Sequence, residues 1–170
     1  MSTPLPIRAP SRTSTTAAPV LALALATTLV LGACSADAVR VGMSRDEVIA
    51  SKGQPGRVVP FASGTRLQYS LQPSGQRAFM IDLDANYRVV RSRQVLVAQE
   101  FAYIEIGTWT RADVEREFGP PASVDHVASW PFDIMTYRWR EITDMFFWVY
   151  LDQNQVVRRT EQGIEYPRDR

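Results

Sequence analysis

The chain has 170 residues, with 19 Lys+Arg, 18 Asp+Glu, one His and one Cys. That length holds one ordinary domain or two very small ones, and a formal net charge of +1 offers no basic stripe to nucleic acid. One Cys excludes an internal disulfide, and one His with one Cys cannot build a structural zinc site.

Residues 1–33 are a different material from the rest. They hold Arg8 and Arg12, no acid, no aromatic residue and four of the eleven prolines. The apolar run Val20–Ala33 is too short to cross a membrane as a helix, which takes about 20 residues, and it has the layout of a secretory signal peptide. It ends Leu31-Gly32-Ala33-Cys34, which resembles the lipobox of bacterial lipoprotein precursors. That resemblance implies cleavage between Ala33 and Cys34, a diacylglyceryl thioether on Cys34, and an acylated amino terminus carrying palmitate-type chains. Ser35 after the cysteine implies delivery to the outer membrane, with the chain lipid-anchored on the periplasmic face. Residues 34–41 are then the lipidated terminus and tether, at most roughly 30 Å from Cys34 to Gly42.

Beyond the leader, two segments can be laid over each other. Gly42-Met-Ser44-Arg-Asp-Glu47-Val48 through Gly53-Gln-Pro55 matches Gly107-Thr-Trp-Thr110-Arg-Ala-Asp113-Val114 through Gly119-Pro-Pro121. Tyr69/Tyr137, Phe79/Phe147, Leu83/Leu151, Asp84/Asp152 and Asn86/Asn154 continue the match. Ser44-x-x-Glu47 and Thr110-x-x-Asp113 read as capping boxes that open short helices. Gly53 and Gly119 then end those helices in a left-handed conformation, and the following Pro blocks continuation. Alternation through Arg66–Leu71 and Phe79–Leu83 predicts strands, and Asp84-Ala-Asn86 and Asp152-Gln-Asn154 predict hairpin turns. The expected fold is α+β, in two tandem repeats. Each has a short helix or helix pair on about three antiparallel strands. The boundaries are 42–98 and 99–160, with a polar tail over 161–170.

The string Val41-Gly-Met-Ser-Arg-Asp-Glu-Val48, Gly53-Gln-Pro55, an aromatic strand and the Asp-x-Asn turn resembles the BamE/SmpA-type domain. The resemblance implies a small outer-membrane lipoprotein of the kind that serves β-barrel assembly. The tandem arrangement is also similar to the β-lactamase inhibitor proteins, secreted two-repeat relatives that bind enzymes with an aromatic sheet face. No partner-binding residue is carried over from either family.

The segment 101–166 holds thirteen of the seventeen aromatic residues and all four Trp. In the strand Met145–Leu151, the core-facing set is Met145, Phe147, Val149 and Leu151, by analogy with Phe79, Ile81 and Leu83. Phe146, Trp148 and Tyr150 then face the other way, joined by Tyr137 and Trp139, or by Met135, depending on register. Either repeat 1 or the C-terminal segment buries this second face, or it is an exposed platform for a protein partner. No catalytic constellation is visible. His126 is the only histidine, Asp125 beside it cannot act as its orienter, and Lys52 is the only lysine. The Asp-x-Asn turns lack the rest of a calcium loop. The reading is a non-enzymatic envelope protein without cofactor or metal, acting through protein–protein contacts in outer-membrane assembly or maintenance. The alternative is a periplasmic module that captures or inhibits an enzyme, or holds a cell-wall ligand, with the aromatic face.

Overall fold

The computed structural model describes residues 39–166. The expected signal peptide, its cleavage point at Ala33 and Cys34, and the tether up to residue 38 lie outside the described residues, as do residues 167–170. The described chain runs α1 (Arg45–Lys52), β1 (Arg57–Phe61), β2 (Gly64–Ser70), β3 (Ala78–Asp84), β4 (Val89–Gln94), α2 (Ala98–Phe101), α3 (Arg111–Phe118), β5 (Ser123–Val127), β6 (Trp130–Arg140), β7 (Asp144–Leu151) and β8 (Val157–Ile164). The strands form two antiparallel sheets, ordered β1-β2-β3-β4 and β5-β6-β7-β8. Strand therefore dominates over short helices.

Each half has four strands rather than about three. The added strands, β1 and β5, are edge strands. They show little burial, and Pro60 is tolerated in β1 because an edge strand can forgo a ladder donor. The segment from 161, expected to be a polar tail, is strand as far as Ile164, since β8 pairs with β7 through Met145–Ile164. Its polar residues concealed it from any periodicity argument.

Both helices begin as expected. Ser44 accepts from the Glu47 amide while Glu47 accepts from the Ser44 amide, and Thr110 and Asp113 repeat the arrangement. Both end at glycine, but with φ 80° and ψ −170° at Gly53 and φ 81° and ψ −173° at Gly119. The positive φ was expected; the extended ψ was not. That combination is a region open essentially to glycine alone. The Tyr69 hydroxyl donates to the Gly53 carbonyl at 2.9 Å, and the Tyr137 hydroxyl donates to the Gly119 carbonyl at 2.9 Å. The Asp-x-Asn turns also match: Asp84 Oδ1 accepts from the Asn86 and Arg88 amides, and Asp152 Oδ1 from the Asn154 and Val156 amides.

The elements stack as layers. Helix α1 lies on the sheet face carrying Leu67, Ile81, Leu83 and Val89, with Val39 and Met43 packed against the same cluster. Helix α3 lies between the two sheets. Its Val114 and Phe118 share a core with Ala78 and Met80 of the first sheet and with Met135, Tyr137, Trp139, Phe147, Val149 and Leu151 of the second. Phe101 of α2 seals that core, stacked on Phe147 at 3.9 Å and edge-on to Trp139 at 5.6 Å.

The contact between the first sheet and α3 is ionic as well as apolar. Gln68 Nε2 donates to the Glu115 and Arg116 carbonyls at 3.0 and 2.9 Å. Arg66, 5% exposed, pairs with Asp82 at 2.6 Å and with Glu117 at 2.8 Å. Arg57 pairs with Glu115 at 3.0 Å. Gln68 and Arg66 thereby satisfy the Arg116 carbonyl, which has no intrahelical partner because residue 120 is proline, and Gln68 adds a second donor to the Glu115 carbonyl, already bonded to the Gly119 amide. The ion pairs balance charges that burial would otherwise penalise.

Two outcomes follow from this packing. Tyr137→Phe leaves a fully buried carbonyl without its donor and is expected to lower stability by about 1–3 kcal/mol. Tyr69→Phe, at a part-exposed site where water replaces the hydroxyl, should cost less; urea denaturation of both variants measures the difference. Asp113 is held below the usual carboxylate range, chiefly by the Thr110 amide, against desolvation that raises it. A carboxyl depressed by folding stabilises the fold above its unfolded value, and that contribution is lost as pH falls through the folded one. Stability should therefore drop on acidification below about pH 4, and Asp113→Asn should flatten that part of the profile.

Candidate partner-binding face on the second sheet

The register assigns every side chain of the second sheet to a face. Cross-strand pairs give the rows Ser123–Thr136–Trp148–Glu161 and Asp125–Ile134–Tyr150–Arg159, with Arg138–Phe146–Gly163 beside them. Phe146, Trp148 and Tyr150 thus share one face, as the alternation predicts. Tyr137 and Trp139 do not join them. Both point to the α3 side and are 0% and 1% exposed, so they belong to the core, as does Met135. Tyr137 is fixed there by its bond to Gly119, and its hydroxyl pKa is pushed well above the usual value by burial. The β6 neighbours on the aromatic face are Ile134, Thr136 and Arg138.

The two sheets treat this face differently. On the first sheet the corresponding positions are Arg66, Gln68 and Ser70 on β2 and Ala78, Met80 and Asp82 on β3, and α3 covers them. On the second sheet no described element lies across the face. Its own side chains supply what cover there is: Ile134, Thr136 and Tyr150 are 4%, 6% and 9% exposed, whereas Phe146 and Trp148 are half-buried.

Tyr150 is the fixed end of the aromatic row. Its hydroxyl donates to Glu161 Oε2 at 2.7 Å, and Trp130 meets its ring edge-on at 5.5 Å. Desolvation, then the bond to Glu161, raises its pKa. The Arg159 guanidinium lies 4.0 Å above the Tyr150 ring and 5.6 Å from Trp130. Trp148 is held differently. A Cβ built on Gly163 would stand 2.9 and 3.0 Å from atoms of the Trp148 ring, so the ring lies directly on the backbone of β8. Phe146 leans against it at 5.7 Å with the planes at 35°.

Beside this pair is a groove of about 720 Å³, lined by Asp125, Thr136, Arg138, Asp144, Phe146, Trp148, Glu165 and Tyr166 among others. Arg138 is clamped along its wall. Its Nε donates to Glu165 at 2.9 and 3.0 Å, and Nη1 donates to the Pro73 carbonyl at 2.8 Å. Gln72, in the β2–β3 connection, bonds the Arg138 backbone on both sides, so the first half forms one end of the groove. Asp125 Oδ2 accepts from Ser123 Oγ at 2.6 Å and Thr136 Oγ1 at 3.2 Å. The single histidine lies outside the groove, on edge strand β5, with Nε2 2.9 Å from Asp133.

Asp125, Arg138, Gly163 and Glu165 were not among the residues expected at the site. None of them carried a usable signal: a glycine marks a close approach only inside a strand, and Gly163 stood in the segment expected to be a polar tail.

The fold defines a strand-dominated protein of two four-stranded antiparallel sheets with short helices. No family model matches the chain, and no curated protein matches it. A solved structure, the crystal structure of a DUF4309 family protein (YjgB) from Bacillus subtilis subsp. subtilis str. 168, is similar at 15% identity and TM-score 0.29, over 72% of this chain and 78% of that one. A likeness that slight carries neither fold nor function across.

The Trp148–Gly163 contact yields a direct check. Gly163→Ala should push the Trp148 ring off β8, changing near-UV circular dichroism while far-UV circular dichroism stays as it is. The overpacking should cost about 1–3 kcal/mol in urea denaturation.

Proposed function

We propose that the protein is a lipid-anchored envelope protein, held in the outer membrane through Cys34, that acts through protein–protein contacts in outer-membrane assembly or maintenance. Its described region is read as two tandem copies of one BamE/SmpA-like unit. That reading is supported by the matching capping boxes, glycine ends, tyrosine-to-carbonyl bonds and Asp-x-Asn turns of the two halves. One observation carries the functional part. The face that α3 covers on the first sheet is open on the second, and there it carries half-buried aromatic rings. Aromatic residues with polar surroundings are what protein interfaces enrich.

A photo-crosslinker placed at position 146 or 148 of the full chain, in the native envelope, should capture a specific protein that a probe on α1 does not. Deletion of the protein should raise outer-membrane permeability and lower the levels of assembled barrel proteins. Capture of a soluble enzyme or of cell-wall material, with barrel proteins unchanged, would instead assign the face to the inhibitory or ligand-holding role. Palmitate labelling of wild type and Cys34→Ala checks the anchor; label retained in the variant would refute it.

A further inference from the structure

The protein shows how a face of this type is filled, because it fills one of its own. The first sheet presents Arg57, Arg66 and Arg93, and the element lying on it brings Glu115 and Glu117. Basic sheet face and acidic helix are complementary. At the corresponding positions of the second sheet that basic charge is lost: Ile134 stands where Arg66 does, and the carboxylates gained are balanced by Arg138 in place of Ser70 and by Arg159 in place of Arg91. Arg93 is replaced by Glu161, Val59 by Asp125, and Arg57 by Ser123. Three carboxylates, Asp125, Asp144 and Glu165, and one guanidinium, Arg138, line the groove. Residues 98–166 as a whole hold twelve Asp+Glu against six Lys+Arg, whereas residues 39–97 hold four against nine.

The lining charges are not equivalent. Glu165 is paired with Arg138, and Asp144 with Arg140 at 2.9 Å. Asp125 takes only the two hydroxyl hydrogen bonds, and among the described residues no cation is paired with it. The aromatic rings divide in the same way. Tyr150 has Arg159 over it and Glu161 beside it. The Phe146–Trp148 pair has Asp125 two strands away, bonded to Thr136 of the strand between, and Arg138 beside Phe146 is taken up by Glu165, so that among the described residues no cation lies over either ring. One half of the face thus displays a guanidinium held between an aromatic ring and a carboxylate, and the other half offers aromatic rings and, across the groove, a carboxylate with no cation on it.

We infer that the groove of the second sheet receives an extended basic segment of a partner protein, with an Arg or Lys side chain laid over Trp148 and Phe146 and paired with Asp125. This rests on the proposed partner-binding role of the face and specifies its ligand. A cation over an aromatic ring is favoured most when both are partly desolvated, as here. The sheet is about 14 Å across its four strands, room for about four extended residues. Helical occupancy of the α3 kind is disfavoured, because Phe146 and Trp148 stand where Ala78 and Met80 let α3 come close. A membrane surface is disfavoured as well. Val39, where the tether enters, packs on the α1 side, and the first sheet, α3 and the second sheet lie between it and the groove.

The test uses the full-length lipidated protein in neutral detergent and end-blocked hexapeptides with Arg, Gln or Glu at the second and fourth positions, so that both side chains share one face. Binding is read by tryptophan fluorescence and calorimetry. The Arg peptide is expected to bind at least about tenfold tighter than the Gln peptide at low salt, and that margin should shrink at about 0.5 M salt. Trp148→Ala and Asp125→Asn should each abolish most of the margin; the second variant keeps a hydroxyl acceptor, so the fold is not in question. Equal binding of the three peptides, or preference for Glu, would overturn the basic-segment inference while crosslinking from position 148 still upheld the partner face. Loss of crosslinking with peptide discrimination intact would do the reverse. Dimerisation abolished by Trp148→Ala would make a second copy the occupant, and recruitment to anionic vesicles through the same residue would make it a lipid surface; either result also overturns the inference.

Discussion

Helix α3 can lie between two sheets only because its two sides meet different chemistry. Toward the second sheet it presents Val114 and Phe118, which pack on Tyr137, Trp139 and Phe147 in the larger core. Toward the first sheet it presents its last carbonyls and its acids, met by Gln68, Arg66 and Arg57. An eight-residue helix has little stability of its own. It is held by a capping box at one end, a glycine at the other, and a sheet on each side. Remove either sheet and an apolar stripe or a set of helix carbonyls loses its partner. The relation between the halves, and therefore the shape of the groove that Gln72 and Pro73 help to close, depends on that one helix.

The charge asymmetry of the chain follows from the same contact. A net charge near zero conceals a basic first half and an acidic second half, and part of that imbalance is consumed where the halves meet. Arg57, Arg66 and Arg93 of the first half face Glu115, Glu117 and Glu100 of the second. Ion pairs of this kind add little net stability once desolvation is counted, but they penalise any other arrangement. Their role is to seat α3 in one orientation. The carboxylates remaining on the second half lie partly on its open face, where Asp125, Asp144 and Glu165 line the groove.

The features legible in the sequence were those whose physics is local. A capping box needs four residues, a glycine end needs one, and an Asp-x-Asn turn needs three, so each could be read without knowing the neighbours. The inward set of β7 was equally legible, because Met145, Phe147, Val149 and Leu151 alternate with a set placed by analogy to the first half. The face of β6 was not. Trp130–Arg140 carries large apolar residues on both parities, so alternation could not say whether Ile134 and Thr136 or Met135 and Tyr137 turned inward. Register decided it, through pairing with β7 and the bond from Tyr137 to Gly119. Edge strands were concealed for the opposite reason. β1 and β5 bury too little to leave a pattern, and polar β8 past residue 160 is held by its ladder. Asp125 and Gly163 gain their meaning only from side chains one or two strands away.

The open face still requires a reason for its composition. If the two halves descend from one unit, a sheet that ends such a stack should turn polar outward, as the terminal units of repeat proteins do. The second sheet has done something else. Where the first sheet keeps Ala78 and Met80 small or pliable beneath α3, the second carries Phe146 and Trp148, large rings that would hold a helix off. Closing the end of the stack would need neither ring, and exposed tryptophan brings a hazard of nonspecific association. Moreover Trp148 is not loose. It rests on the backbone at Gly163, a position that admits no side chain beneath the ring, and Arg138 is clamped beside it by Glu165. A half-buried ring seated in this way loses little entropy when something binds. Stack termination alone accounts for neither the rings nor the glycine that seats them; the proposed recognition of a partner would require both.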